Sequence, residues 1–243
     1  MKDNLANIQY SPIRDYKYAQ RFQTVQFNGK TLTPDERKEF VAIIDESITF
    51  NETGLPMMAS RLKAIENNQG EFYEIERTLY SVLLFTTLTL SDCMVAGKYF
   101  LLADTDFDRR FMRGKLKIIL NEGFKRLYGF DEKTKNKSEW FRLLPLMKHF
   151  PEVINWQYQE MTDLLENQSK SSSWWKEERN LEIHLEAEKL YESRQVDLVE
   201  SKVMIETLDL YDALLAVNHF MTNANACLRN SLLDKYRRGE LSE

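Results

Sequence analysis

Apolar positions along this chain recur at intervals of three and four residues rather than at every second residue, which is the period of a helix face and not of a strand. The clearest case lies near the C-terminus. Met204, Leu208, Tyr211 and Leu215 are spaced by four, three and four, and predict one buried stripe on a helix over about 197–238. The most apolar part of the chain runs from Glu71 to about Ala103. A helix there carries apolar residues on several sides, so it is expected at the centre of a bundle. Its longest apolar run, Val82 to Leu90, is closed by Asp92 and Lys98 well short of the roughly 20 residues a membrane span needs. No transmembrane segment is expected.

Start and stop signals divide the rest. Residues 1–32 are polar and Tyr-rich, with Pro12 and an Asn28-Gly29 turn signal, and read as an N-terminal arm. Thr33-Pro34-Asp35-Glu36 supplies a cap, a proline at the first helical position and acids at the positive end of the helix dipole. That helix is expected to reach about Phe50, to break at Gly54 and Pro56, and to be followed by a second over about 56–68. After the central helix, Asp104, Asp106 and Asp108 mark a new start, and Gly129 suits the left-handed cap of a helix over 106–128. Pro145 and Pro151 divide or bend the segment 138–167. Residues 167–173, Asn-Gln-Ser-Lys-Ser-Ser-Ser, read as a loop, with Ser173 capping a helix from Trp174 to about Arg194. No internal repeat and no boundary between two cores is evident. The expectation is an all-α chain, with residues 33–243 forming a single bundle of about six to eight helices.

Composition agrees and narrows the function classes. The 43% hydrophobic and 29% charged residues make an ordinary globular mixture, and 8 Gly and 5 Pro in 243 residues leave helices long. A net charge of −5 argues against a surface built to coat nucleic acid, although local basic patches are compatible with it. Cys93 and Cys227 are far apart in sequence, without zinc-ligand spacing, and are expected as buried thiols. The first residues lack the apolar core of a secretory signal, so a cytoplasmic location is expected. Di-iron bundles need Glu-x-x-His pairs, and the residues three before His149, His184 and His219 are Leu146, Leu181 and Ala216. No phosphate loop or nucleophile elbow occurs. No metal or cofactor is expected.

One hexapeptide carries candidate chemistry: Arg179-Asn180-Leu181-Glu182-Ile183-His184, with an Arg and a His separated by four residues and Asn directly after the Arg. Residues five apart on a helix lie about 140° apart around its axis, so both side chains can border one cleft that a partner surface completes. The pattern resembles that of the HEPN superfamily, all-α bundles whose many RNase members share an Arg, four to six residues, and a His. The resemblance rests on Arg179, Asn180 and His184 and on a compatible helical layout over about 71–238. It implies metal-independent action on RNA across a homodimer interface, in a toxin or defence ribonuclease. In that scheme His184 is the general acid or base, Arg179 the phosphate clamp and Asn180 an orienting group. An HEPN-type bundle that binds nucleotide or RNA without cutting it is a further alternative. The rival from another class is a non-catalytic helical interaction protein, in which Arg179 and His184 are solvated helix positions.

Other polar features carry less. Arg109, Arg113 and Lys117, spaced by four, form a basic row able to contact phosphates, within residues 104–130 where seven basic residues face four acidic ones. Such a row is more often simply a solvated face. Asp92, in the most apolar helix, is expected as a core aspartate with a partner, and His219 as a packed core histidine. The tryptophans, Trp140, Trp156, Trp174 and Trp175, are expected as packing anchors before base-stacking groups.

Overall fold

The computed structural model describes residues 32–171 and 200–237, and these residues are all-α, with seven helical segments and no strand among them. Helix α1 (Pro34–Ala64) starts as its sequence dictates: the Thr33 hydroxyl accepts the Glu36 N–H at 3.2 Å, and the Glu36 carboxylate accepts the Thr33 N–H at 2.7 Å. It does not break at Gly54 and Pro56. Pro56 and Glu52 both face solvent, so water can serve the carbonyl that the proline leaves without its donor, and the expected two helices are one. The chain turns at 65–70, where the Arg77 guanidinium donates to the carbonyls of Ile65 and Asn68 at 2.9 and 2.7 Å, and Gly70 takes φ 118°.

Helix α2 (Glu71–Leu102) is the centre of the bundle. It packs against α1, against α3 (Asp106–Leu127) and against the C-terminal helix, α6 (Glu200–Arg237). By length and composition α2 could cross a membrane, but more than half of its most apolar window is buried in this bundle. Each neighbour runs antiparallel to it. Asp45 of α1 pairs with Lys98 at 2.6 Å, Asn51 donates to Ser91 at 3.0 Å, and Arg61 pairs with Glu76 at 2.8 Å. Asn218 of α6 donates to Thr86 and Thr87 at 3.0 and 2.8 Å, and Arg229 reaches the Tyr80 hydroxyl. On the α3 side the approach is close because Gly123 lies against Thr89.

Helix α3 is capped by the Thr105 hydroxyl, which accepts the Asp108 N–H at 3.1 Å, and ends in Gly129 at φ 86°, as its sequence predicts. A one-turn helix, α4 (Glu132–Lys135), follows. The chain then zips back onto the end of α3 through Glu139 N–H to the Arg126 carbonyl and Trp140 N–H to the Leu127 carbonyl, at 3.0 and 2.9 Å. Pro151 divides the next segment into a 3₁₀ helix (Phe141–His149), which holds Pro145 inside it, and α5 (Glu152–Ser171). Trp140 is fully buried, stacked on Tyr158 with ring centroids 4.6 Å apart, and its indole N–H donates to Thr162 at 3.0 Å. The expected loop over 167–173 is helical through Ser171. Ser169 is buried and donates to the Gly129 carbonyl, so a tertiary contact decides against the loop-forming preference of the serines.

A single cluster of buried side chains extends from Leu32 to Leu228. On α6 its members include Leu214, Val217, Met221, Ala224 and Leu228, which keep the three- and four-residue spacing of a helix face, with Leu215 half-buried at its margin. The side chains of Met204, Leu208 and Tyr211 lie outside the described residues.

The α2–α3 approach yields a prediction. A Cβ on Gly123 would sit 2.4 Å from Thr89 Cγ2, so Gly123→Ala is expected to destabilise the fold by about 1–3 kcal/mol. Thr89→Ala, which removes the obstructing methyl, should restore most of that loss. Chemical denaturation of the single and double variants measures both.

Candidate functional site

The sequence motif falls in the connection between two described helices. Arg179, Asn180 and His184, with Trp174 and Trp175, lie in residues 172–199, outside the described residues. The flanking helices are α5, which ends at Ser171, and α6, which begins at Glu200, and these two helices pack against one another.

The basic row of α3 is not a solvated face. Arg109 is half-buried, and its Nε donates to the Ala103 carbonyl just past the end of α2, at 3.2 Å. Arg113 and Lys117 are 8% and 1% exposed. The reason is rotational: Arg113, Lys117, Asn121 and Phe124 share the inward side of α3, a helix that touches both α2 and α6. Spacing by four puts three cations on one face of a helix, but it cannot say which way that face turns.

Other polar groups are drawn together that the sequence pattern alone did not single out. Glu76, 1% exposed, accepts both Nε and a terminal nitrogen of Arg61 at 2.8 Å, and Arg229 stands 3.8 Å away. The Arg61–Glu76 pair clamps the end of α1 to the start of α2. The legible signal was an acid beside Ile75 and three residues before Leu79, in the buried row of α2. Near the end of α3, Glu166 of α5 accepts from the Tyr128 hydroxyl at 2.6 Å and from Lys135. These two donors hold its carboxyl down at about 2, while burial and the same carboxylate push the Tyr128 phenol up.

Asp92 is not the core aspartate expected. It is exposed, without an ion pair among the described residues, and Lys98 turns instead to Asp45. Partial desolvation still raises its pKa. Asp92 sits in an open strip of α2 formed by Leu88, Val95, Tyr99 and Leu102, which are 40–53% exposed. On the helical wheel this strip faces away from α6 and lies between the sides occupied by α1 and α3. His219 is half-buried, and His149 meets Glu71 at 3.1 Å. Cys93 is buried, its thiol pushed up by burial, and Cys227 is half-buried; neither forms a disulfide. Of the described tryptophans, Trp140 is the anchor expected and Trp156 is 60% exposed. Among the described residues no three His, Cys, Asp or Glu side chains are placed to hold a metal ion.

Comparison with known proteins adds no assignment: no family model, no curated protein and no solved structure matches this chain.

Two predictions follow from the ion pairs. Arg61→Ala leaves the Glu76 carboxylate buried with only the more distant Arg229, and is expected to cost about 3 kcal/mol in urea unfolding; Arg61→Ala with Glu76→Leu should cost clearly less, because no buried charge is stranded. For Glu166, a folded pKa of about 2 against an ordinary 4.5 means that its ionised form is favoured by folding. That stabilisation is complete above pH 4.5 and is lost as pH falls from there towards 2. Glu166→Gln should therefore lower the urea midpoint at pH 7, and the gap to the parent protein should close across that window.

Proposed function

We propose that this chain is an HEPN-like helical bundle that acts on RNA as a homodimer, cleaving it without a metal ion. The observation that carries the reading is the Arg179-Asn180 pair followed by His184 within an all-α chain. One further fact fits it: the segment bearing the motif joins two helices of the bundle that pack against each other.

The chemistry needs only groups this motif supplies. His184, as a neutral imidazole, takes the proton of a ribose 2′-hydroxyl as that oxygen attacks the adjacent phosphorus. The bond from phosphorus to the 5′-oxygen of the next nucleotide breaks, and that oxygen leaves with a proton from an imidazolium or from water. The products are a 2′,3′-cyclic phosphate and a 5′-hydroxyl end. Arg179 holds the phosphate and offsets the charge that develops on its oxygens, and Asn180 orients it by hydrogen bonding. A second copy of the chain supplies the opposite wall of the cleft. A toxin or defence role is the biological setting that this activity fits.

The test is direct. Purified protein incubated with mixed RNAs in EDTA is expected to generate cyclic-phosphate ends, and His184→Ala or Arg179→Ala should lower the rate by at least about 100-fold, the scale of a general acid–base contribution. Equal cleavage by the parent and both variants, or none in any of them, overturns the ribonuclease reading in favour of a non-catalytic helical interaction protein.

A further inference from the structure

The open strip of α2 needs an occupant, and its position and charge indicate which. With α1, α3 and α6 on its other sides, α2 leaves Leu88, Val95, Tyr99 and Leu102 uncovered along about 21 Å of helix. Exposed aliphatic and aromatic side chains aligned on one helix face mark a contact surface rather than scattered surface residues. From Leu88 to Arg110 the chain carries Asp92, Asp104, Asp106 and Asp108 against Lys98, Arg109 and Arg110; Lys98 pairs with Asp45, and Arg109 donates to the Ala103 carbonyl. The strip is therefore apolar along its length, with a group of aspartates at the turn beyond it.

Residues 1–31 match both properties. They hold Lys2, Arg14, Lys17, Arg21 and Lys30 against Asp3 and Asp15, a net +3, interleaved with five aromatic residues: Tyr10, Tyr16, Tyr18, Phe22 and Phe27. They also join the described chain at the right end. From the Asp45–Lys98 pair, α1 continues back to Pro34, about 16 Å, whereas α2 has only about 6 Å left before it ends at Leu102. The chain thus enters α1 just past the end of the strip near these aspartates, fixed there by Leu32, which is buried in the core. Walking back from Leu32 to the level of Leu88 takes about 30 Å, or roughly ten extended residues, a third of the length on hand.

We propose that residues 1–31 dock on the strip Leu88–Val95–Tyr99–Leu102, their aromatic side chains covering it and their basic residues meeting Asp92 and the aspartates at the start of α3. The strip is an intramolecular docking site. This inference is independent of the ribonuclease reading, since it uses none of Arg179, Asn180 and His184.

The experiment places a photo-crosslinker in the strip, Tyr99→p-benzoylphenylalanine, in the full chain at low micromolar concentration. Tyr99 is half-exposed, so the variant should keep the parent's melting temperature. After irradiation, the expected product has the mass of one chain, with the probe joined to a peptide within residues 1–31. Adding Arg14→Glu, Lys17→Glu and Arg21→Glu should lower the yield of that product at least fivefold. A product of twice the mass names a second copy as the occupant and overturns the proposal. So does capture of peptides outside residues 1–31 alone, the absence of any crosslink, or a yield unchanged by the charge reversals.

Discussion

Everything in this bundle depends on enclosing one 32-residue helix, α2, by neighbours on three sides. A helix surrounded in this way cannot leave a polar side chain inside it without a partner, because the cost of burying an unpaired polar group rivals the net worth of several good contacts. The chain meets that constraint in two ways. Thr86, Thr87 and Thr89 turn their hydroxyls back onto carbonyls of α2 itself, one turn earlier, and Thr86 and Thr87 also accept the amide of Asn218. Glu76, which has no such local option, recruits Arg61 and Arg229 from two other helices. Small side chains let the neighbours come close, and the polar groups among them set the registers of the approach.

Around that axis the remaining pieces find their places through a few well-defined junctions. The left-handed turn at Gly129 sends the chain back over α3, Trp140 fills the space between that turn and α5, and Ser169 of α5 closes on the Gly129 carbonyl. These junctions bring α5 against α6, the pair of helices between which the candidate motif lies. On the proposed reading, a scaffold held by interhelical ion pairs and a buried indole would carry its chemistry on the residues that link α5 to α6 in sequence. The fourth side of α2 is the part of the axis that none of the described helices covers, and it is there that the proposed docking of residues 1–31 would complete the enclosure.

Much of this architecture could be read from residue order alone, wherever the deciding interactions are local. The cap at Thr33, the stop at Gly129 and the division at Pro151 each depend on residues within a turn or two of one another, and the central position of the 71–102 segment follows from its own apolar composition. Where it failed, a distant contact or the solvent had the deciding role. Pro56 is tolerated because its side of α1 faces water, and the serines after Asn167 stay helical because Ser169 has a partner 40 residues away.

The candidate chemistry divides along the same line. Sequence by itself determined which residue types recur at helical spacing: Arg109, Arg113 and Lys117 on one face, and an Arg and a His five apart in a segment of helical pattern. It could not determine which way a face points, since that is fixed by how each helix is rotated against its neighbours, a property of the packed whole. Only the tertiary structure turned Arg113 and Lys117 inward and Asp92 outward, and only it joined Glu76 to Arg61. The physical reason is that periodicity records the shape of a helix, whereas burial is decided by what the helix is pressed against.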